Sequence, residues 1–436
     1  MKITVVGCGY VGLVTAAGLA NFGHLVTGVD RNRNKIDKLR HKELPFYEKG
    51  LIELVRKNLE ARRLYFTTSL GLAIANSQVI FIAVGTPTRP DGSADLEQVE
   101  AVAKEIAAYL RDYTVIVNKS TVPVGTGERV KKLISRHSRL SSTFDVVSNP
   151  EFLREGSAVA DFTFPDRIII GADSTKALKI MEQLYAPFIE NNIPLIRTNL
   201  ATAEMIKYAS NAFLATKISF INEMADLCET VDVDLPTVAQ GMGLDQRIGP
   251  DFLSAGPGYG GSCFPKDTKA LIHLARKHGK NVSIVEATDQ VNERTKKRML
   301  EKILNVVGVP NGKSIAVLGL AFKANTDDLR ESPAIPIIRG LLAAGAKIHA
   351  HDPLALQEAK KIFGEEILYF NHEYEAVTGA DAIVVTTEWE TYLQLDFKLL
   401  KEKMKQAILI DLRNLFPPEK IKEYGFIYEG IGRGIK

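Results

Sequence analysis

The first thirty residues carry the pattern that most constrains the fold of this chain. An apolar, β-branched run leads into Gly7-Cys-Gly-Tyr-Val-Gly12, and a small-residue helix from Leu13 to Phe22 and a second strand ending at Asp30 follow. A lone GxGxxG is a weak signal. Strand, glycine turn, helix, strand and terminal acid in this order are strong evidence for a dinucleotide-binding fold. The glycines allow a tight turn and close contact with a pyrophosphate at the helix N-terminus.

Asp30 predicts which dinucleotide binds. A carboxylate at the end of the second strand accepts hydrogen bonds from the adenosine ribose and repels a 2′-phosphate, which favours NAD over NADP. Arg31 and Arg33 follow it directly and weaken this preference. Cys8 is interpreted as a small residue in a tight turn.

Further strands alternate with helical stretches such as Leu96 to Arg111, which predicts a parallel, doubly wound sheet. In such sheets ligands bind beyond the carboxyl ends of the strands. Thr121 and Glu151 each come just after a strand, so we expect them to face a substrate, although either could be a turn or cap residue. If the segment from Glu151 is helical, Glu155 shares its face.

A segment from Leu200 to Thr230 contains no glycine or proline, and its apolar residues recur at helical spacing. It predicts a helix of about 45 Å. Helices of this length usually connect domains or build a dimer interface. Lys207 and Asn211 share one face of this helix, and Cys228 is interpreted as a core residue.

A second glycine-rich stretch, Gly256 to Asp267, has four glycines in its first six residues and continues with Cys263 and Lys266. A thiol, a cation and a carboxylate on one loop are the parts of covalent catalysis. The alternative is a surface turn that happens to carry a buried cysteine, and this stretch alone does not decide between them.

The strand–helix alternation resumes after a break at Pro310 to Lys313. The first turn of this half, Gly319 to Lys323, lacks the dinucleotide fingerprint, so we expect a ligand other than NAD, with Lys323 and Arg330 as cations for an anionic group. The predicted fold class is α/β, with two Rossmann-like doubly wound domains joined by a long central helix. The expected domains are 1–198, 199–309 and 310–436.

Composition excludes several functions. Lys and Arg total 55 against 52 Asp and Glu, a net charge of +3, which gives no general reason to bind nucleic acid or a membrane. Three widely spaced cysteines form neither a disulfide framework nor a metal-binding pattern, so no metal is expected. Without a signal-peptide pattern or a membrane-spanning apolar run, the expected location is cytoplasmic.

Taken together, several stretches resemble one family, the nucleotide-sugar 6-dehydrogenases. They occur in the family's order over nearly the whole chain: Gly7–Gly12, Lys119–Val124, Asn149–Gly156, Lys207–Asn211, Gly258–Asp267, and Gly319–Lys323 through Arg330–Pro333. The resemblance implies a four-electron oxidation of UDP-glucose to UDP-glucuronate by two NAD, through a thiohemiacetal and a thioester on Cys263. UDP-N-acetylmannosamine and GDP-mannose dehydrogenases share this architecture, and a non-catalytic NAD-sensing protein is a further alternative.

The resemblance also implies roles for individual residues. The expected catalytic residues are Cys263, Lys207, Asn211, Asp267, Thr121 and Glu151. Those expected to bind the cofactor are Gly7, Gly9, Tyr10, Val11, Gly12, Asp30, Lys35, Thr86, Thr121, Glu155, Lys266 and Arg330. Those expected to bind substrate are Glu151, Phe152, Leu153, Arg154, Lys207, Asn211, Arg247, Phe252, Tyr259, Gly260 and Lys323. Arg247 resembles a residue that reaches the substrate from a neighbouring subunit, which implies a homodimer, expected through the long central helix.

Overall fold

The computed structural model describes residues 1–138 and 144–433. The chain forms two compact units. The first unit contains Met1–Ser210 with Arg276–His278, and the second contains Asn211–Ala275 with Gly279–Lys436. The division falls within one long helix. The expected three-domain boundaries, at 198/199 and 309/310, stay a prediction.

The first unit is built on an eight-stranded sheet of order β3-β2-β1-β4-β5-β6-β7-β8. Its strands are β1 (Lys2–Val6), β2 (Leu25–Val29), β3 (Leu64–Thr67), β4 (Val79–Ile82), β5 (Thr114–Asn118), β6 (Phe144–Ser148), β7 (Ile168–Ala172) and β8 (Leu195–Thr198). Its helices are α1 (Tyr10–Asn21), α2 (Arg33–Arg40), α3 (Leu51–Glu60), α4 (Leu70–Ile74), α5 (Glu97–Tyr109), α6 (Thr126–His137), α7 (Ala158–Thr163), α8 (Thr175–Leu184) and α9 (Ala186–Glu190).

Both faces of this sheet are covered. Helices α1, α3 and α8 contribute to one apolar core, and α4, α5 and α6 contribute to the other. Strands that are buried on both faces contain continuous runs of apolar residues, as β4 and β5 do. The sheet is parallel except between β6 and β7, where Val147 pairs with Ala172 in the antiparallel sense. The expected parallel sheet is therefore wrong at this one pair, because the connection from β6 does not bring the chain back to the end at which β6 begins, so β7 runs in the opposite direction.

Helix α10 (Leu200–Thr230) runs for 31 residues and is shared by both units. Its predicted extent is confirmed. Its apolar residues recur at helical spacing and neither glycine nor proline interrupts them, so no local signal ends the helix early.

The second unit contains a six-stranded parallel sheet of order β11-β10-β9-β12-β13-β14. Its strands are β9 (Ser314–Leu318), β10 (Lys347–His351), β11 (Leu368–Tyr369), β12 (Ala382–Val385), β13 (Ile408–Asp411) and β14 (Ile427–Glu429). Its other helices are α11 (Leu235–Gly243), α12 (Phe264–Lys277), α13 (Ser283–Val307), α14 (Ala334–Ala343), α15 (Leu356–Phe363), α16 (Glu373–Val377), α17 (Phe397–Lys403) and α18 (Pro418–Glu423), with a 3₁₀ turn at Glu390–Gln394.

Both sheets share the strand order of dinucleotide-binding folds. Numbered within its own unit, the second sheet runs 3-2-1-4-5-6, and the first begins in the same order before adding β7 and β8. Gly7 and Gly319 occupy equivalent positions after the first strand, with φ of +98° and +94°. The predicted class, two Rossmann-like doubly wound sheets joined by a long helix, is confirmed.

A helix that crosses a membrane needs a long apolar stretch with few charges. None of the helices in the part of the chain that the structure describes has one. The expected cytoplasmic location stays a prediction.

Candidate active site

The glycine turn after β1 has the shape of a pyrophosphate cradle. A Cβ on Gly7 would lie 2.5 Å from the carbonyl oxygen of Ala83, and one on Gly12 would lie 1.8 Å from the carbonyl oxygen of Gly7. Gly9, at the N-cap of α1, has no heavy atom within 4 Å of its Cβ position. Gly9 makes no side-chain cap hydrogen bond, which leaves the first N–H groups of α1 for an anionic ligand such as a dinucleotide phosphate. The residues present therefore fit NAD.

Asp30 lies beside this turn. It accepts hydrogen bonds from the backbone N–H of Cys8 and of Asn32, and from the ammonium of Lys35, each at 2.9 Å. Burial by itself would raise the pKa of Asp30, but the bonds from Lys35, Asn32 and Cys8 outweigh burial and lower it. Lys35 thus compensates part of the charge that is expected to repel a 2′-phosphate.

The arginines after Asp30 have other partners. The exposed side chain of Arg31 lies 4.0 Å from Glu105, and that of Arg33 lies 3.9 Å from Asp37. Ion pairs this long and exposed contribute little and leave both side chains able to turn toward a ligand.

Glu48 is a residue that sequence reasoning missed. Its carboxylate is 2% exposed and accepts hydrogen bonds from the Tyr10 hydroxyl, from Gly156 N–H at 2.7 Å and from Ala158 N–H at 2.8 Å. Gly156 N–H also donates to the Tyr10 hydroxyl at 2.8 Å. Glu48 therefore joins the first turn of α1, which Tyr10 and Val11 form, to the loop after β6. A single glutamate in a polar stretch gave no sign of this role.

The loop after β6 carries Glu151 to Glu155 without helical structure, so the condition for a shared helical face is not met. Glu151 instead accepts the N–H of Leu153 at 2.6 Å, which closes a tight turn, and its other oxygen lies 3.2 Å from the ammonium of Lys207. Both members of this ion pair are buried, as is Glu155.

Two further residues of this loop, Phe152 and Arg154, have charged partners. The Phe152 ring lies 3.7 Å from the Arg167 guanidinium and 5.1 Å from the Lys207 ammonium. Arg154 forms a 2.6 Å ion pair with Asp161. Phe152 therefore lies against the same lysine that binds Glu151.

Thr121 lies after β5, where its carbonyl oxygen accepts the Thr86 hydroxyl at 2.8 Å. Thr121 and Lys207 line one small cavity, together with Asn118, Ser120, Val122, Ser148, Pro150 and Glu204. Glu204 was not singled out from the sequence. It accepts the N–H groups of Gly125 and Gly127, each at 2.7 Å, which fixes the start of α6.

In the second unit, the glycine-rich stretch is buried rather than exposed on the surface. Asn222 accepts Gly256 N–H at 2.8 Å, and Asn292 accepts Tyr259 N–H at 2.8 Å while donating to Tyr259 O at 3.1 Å. A Cβ on Gly260 would lie 2.4 Å from the carbonyl oxygen of Glu331. Close packing against backbone thus explains the glycine at position 260.

Cys263 lies where this stretch enters α12, and its carbonyl oxygen accepts Asp267 N–H at 2.9 Å in the first turn of the helix. Asp267 is 0% exposed. Its two oxygens accept the side-chain amide of Asn211 at 2.6 Å and the ammonium of Lys266 at 2.5 Å. The structure therefore brings together four of the predicted residues.

The other two cysteines differ from Cys263, which is partly exposed. Burial raises the pKa of Cys8 to about 12, with Asp30 adding to the shift and Lys35 opposing it. Burial, Asp234 and Glu229 raise the pKa of Cys228. High pKa values keep these thiols protonated and unreactive.

Lys207 and Asn211 lie one turn apart on α10, as predicted from their spacing. Each binds a buried carboxylate within its own unit, Lys207 that of Glu151 and Asn211 that of Asp267. The predicted pair is therefore oriented by two acids.

The remaining predicted residues lie in the second unit. Arg247 and Arg330 are exposed and each pairs with the acid two residues before it, Asp245 at 2.6 Å and Asp328 at 2.7 Å. The further predicted residues there pack around aromatic rings: Phe252 and Tyr259 against Phe264, and Lys323 over Phe322, beside Gly260 and Gly261.

Three family models match most of the chain. They describe the NAD binding domain, the central domain and the UDP binding domain of the UDP-glucose/GDP-mannose dehydrogenase family, over residues 1–189, 201–294 and 316–418. NAD is therefore the cofactor of the first domain, as its glycine turn indicates.

The chain is similar over nearly its full length to curated proteins. A UDP-glucose 6-dehydrogenase of Rhizobium meliloti is 50% identical over 99% of this chain and 100% of that protein. UDP-glucose 6-dehydrogenase TuaD of Bacillus subtilis is 48% identical over 99% of this chain and 93% of that protein.

Solved structures are also similar to this chain over nearly its full length. A UDP-glucose dehydrogenase from Pyrobaculum islandicum has a TM-score of 0.91 at 39% identity, covering 99% of this chain and 97% of that one. A UDP-D-ManNAc dehydrogenase from Pyrococcus horikoshii has a TM-score of 0.87 at 28% identity, covering 99% of both chains. Fold, cofactor turn and full-length similarity lead to one conclusion: the chain belongs to the UDP-glucose/GDP-mannose dehydrogenase family, as an NAD-dependent dehydrogenase.

Proposed function

We propose that this enzyme oxidises UDP-glucose to UDP-glucuronate in two successive steps through a thioester on Cys263. The main support for this chemistry is the position of Cys263 at the first turn of α12. Asp267 follows one turn later, and its carboxylate is held by Asn211 and Lys266. The choice of UDP-glucose is supported by the relatives that carry that substrate in their names, at up to 50% identity.

The first step removes a proton from the C6 hydroxyl as the carbon loses a hydride. When bound, NAD accepts the hydride released at each of the two oxidations. Thr121 and Asp267 hold and deprotonate the hydroxyl or a water beside it. Lys207 and Asn211 stabilise the alkoxide, since an ammonium carries three N–H donors and an amide carries two, so each can hold an oxyanion besides its carboxylate.

The second step begins when the Cys263 thiolate forms a bond to the aldehyde carbon and the carbonyl oxygen becomes the thiohemiacetal oxyanion. Cys263 lies at the start of a 14-residue helix, where the aligned N–H groups favour a thiolate. Lys207 and Asn211 stabilise the oxyanion. Loss of a second hydride from the same carbon restores the carbonyl as a thioester.

Hydrolysis completes the reaction. Water adds to the thioester carbon, the carbon–sulfur bond breaks, and the thiolate leaves. Glu151 accepts the proton from water. It follows β6, and Lys207 and the N–H of Leu153 hold its carboxylate in place.

The proposed binding residues form one set for NAD and one set for the UDP-sugar. The Gly7–Gly12 turn would hold the pyrophosphate of NAD, Asp30 and Lys35 would bind its ribose, and the other residues proposed to bind it are Thr86, Glu155, Lys266 and Arg330. The UDP-sugar contacts Phe152 to Arg154, Phe252, Tyr259, Gly260 and Lys323. The third family model, described as a UDP binding domain, supports this division.

A homodimer is part of the proposal. On α10, Phe213, Phe220 and Leu227 recur every seven residues, and 66%, 44% and 54% of their surface is exposed. Large apolar side chains in one exposed row on a helix are typical of a protein interface. A second copy of this chain would cover this row, and Arg247 would reach the partner's substrate.

The proposal is tested by NADH release from UDP-glucose, UDP-N-acetylmannosamine and GDP-mannose in parallel. We expect two NADH per UDP-glucose, little released aldehyde, and UDP-glucuronate by mass spectrometry. One NADH per sugar with released aldehyde would contradict the thioester route. Preference for another sugar would reassign the substrate, and no NADH from any sugar would favour an NAD-sensing protein.

A further inference from the structure

Lys119 is a buried lysine that the mechanism above does not use. It follows β5 and is 7% exposed. Its ammonium donates to the side-chain oxygen of Asn149 at 3.0 Å, and among the described residues it forms no ion pair within 4.0 Å. A buried ammonium with one neutral acceptor costs folding free energy, because its charge is removed from water without a directly bound counter-ion.

Asn149 connects Lys119 to the loop that carries Glu151. Its side-chain oxygen also accepts the Tyr185 hydroxyl at 2.5 Å, and its amide donates to the Ile169 carbonyl at 2.7 Å. Its backbone N–H donates to the Asn118 carbonyl at 2.9 Å. Asn149 is thus fixed on all sides, and Glu151 follows it by two residues across a proline.

Charge also links Lys119 to Glu151. Burial lowers the pKa of Lys119 to about 8, the carboxylate of Glu151 opposes this shift, and the ammonium of Lys207 adds to it. Two buried ammonium groups therefore act on one buried carboxylate. Taken together, Lys119, Lys207 and Glu151 carry a net positive charge, which is complementary to an alkoxide or thiohemiacetal oxyanion. Burial raises the pKa of Glu204, the other buried acid on the cavity that Lys207 lines, which disfavours its negative charge.

We propose that Lys119 is a positioning residue, which fixes the turn carrying Glu151 through Asn149 and places a second buried positive charge beside the Glu151–Lys207 ion pair. The proposal rests on the function proposed above, in which Glu151 and Lys207 act on the reacting carbon. Lys119 itself touches neither substrate nor cofactor in this role.

Lys119→Met tests the proposal because it removes the charge and keeps the length of the side chain. In this variant the side-chain oxygen of Asn149 still accepts a hydrogen bond from the Tyr185 hydroxyl, so this buried oxygen keeps a donor. We expect kcat to fall by about 10–100-fold, as for other groups that orient a catalytic side chain. We expect the melting temperature at pH 7 to rise, because a poorly compensated buried charge is gone. A purely structural lysine predicts a lower melting temperature, and this result, or an unchanged kcat, would overturn the proposal.

Two further variants separate charge from hydrogen bonding. Lys119→Gln keeps a neutral donor, and we expect it to remain slow; full activity in it would exclude a role for the charge. Tyr185→Phe removes the other donor to the same Asn149 oxygen without changing charge. We expect it to lower the melting temperature, with a smaller loss of kcat than Lys119→Met. An equal loss would reduce Lys119 to a hydrogen-bonding role and overturn the electrostatic part.

The pH profile supplies a readout that a structural role would not move. The ionisable groups around Lys119 are Glu151 on the loop after β6, Lys207 on α10, and Tyr185, whose pKa burial raises. Lys119 is expected to lose its proton near pH 8. Turnover of the wild type should decline above this pH, and Lys119→Met should lack this decline. An identical decline in both would contradict the proposal.

Failure of this proposal is distinguishable from failure of the proposed function. If wild-type enzyme releases no NADH from UDP-glucose, the function is wrong whatever Lys119 does. If wild type is active and Lys119→Met and Lys119→Gln match it in kcat and pH profile, only the role of Lys119 is wrong.

Discussion

Asn211 donates its side-chain amide to Asp267 at 2.6 Å, across 56 residues of sequence. The other oxygen of Asp267 accepts Lys266, so the carboxylate is fixed on both sides in a fully buried position. This relationship orients the amide that we propose to stabilise the oxyanion, and it ties α10 to the helix that begins after Cys263.

Asp267→Asn should keep the shape of this side chain and lose its negative charge. We expect kcat to fall by about 10²–10⁴-fold, the range for loss of a general base, because proton removal and the orientation of Asn211 are both impaired. Steady-state NADH release measures the effect, and circular dichroism controls for folding. Near-normal turnover would show that Asp267 serves packing alone.

Glu151→Gln should permit both hydride steps and stop at the thioester. We expect a burst of about two NADH per site, then turnover slowed by roughly 10²–10⁴-fold, because a base for water is missing. Acid-quenched intact mass should show the UDP-glucuronyl adduct on Cys263. Glu204→Gln changes another buried acid, which lines the cavity that Lys207 also lines, and should lower stability without accumulating the adduct. A Glu151→Gln enzyme that stalls before any NADH would make Glu151 a positioning residue.

Asp30→Ser should shift cofactor preference toward NADP. The change removes the carboxylate that repels a 2′-phosphate. It also releases Lys35, whose ammonium lies 2.9 Å from that carboxylate in the unchanged protein, to bind the phosphate. We expect about 1–3 kcal/mol in relative kcat/KM, typical of a changed charged contact. Glu60→Ser, which removes an exposed carboxylate paired with Lys42, is the control and should leave the preference unaltered. An unchanged preference in Asp30→Ser would place the ribose elsewhere.

Cys263 should be the thiol that iodoacetamide modifies first. Cys8 and Cys228 are buried with raised pKa values, so thiolate at those positions is scarce. Peptide mass spectrometry after brief exposure should find the label on Cys263, with loss of NADH release in proportion. Cys263→Ala should resist labelling, and equal labelling of that variant would contradict the assignment.

Arg247→Ala should raise KM for UDP-glucose and leave KM for NAD nearly unchanged, if Arg247 serves a neighbouring subunit's site. Asp245→Ala removes the same ion pair but keeps the cation, so it should have the smaller effect. Mixing Arg247→Ala with Cys263→Ala subunits should restore activity at sites that receive both intact residues. No restoration, despite demonstrated subunit exchange, would exclude the shared site.

Local patterns in the sequence were sufficient for the fold class. Strand and helix periodicities depend on neighbouring residues, so the glycine turn with Asp30 and the whole of α10 could be predicted directly. The segment from Glu151 shows the limit of such patterns. Two carboxylates at helical spacing suggested a shared helical face. The segment is instead a loop, in which Glu151 accepts the N–H of Leu153 and forms an ion pair with Lys207.

What the sequence by itself determined was the set of chemical groups: a dinucleotide turn, a thiol after a glycine-rich loop, and Lys207 and Asn211 on one helix face. Only the tertiary structure decided their partners. Glu48 on Gly156, Asn292 on Tyr259 and Lys119 on Asn149 are contacts between residues 30 or more positions apart. Periodicity cannot report such pairs, because they form only when packing removes both groups from water and each polar atom must find a partner inside the protein.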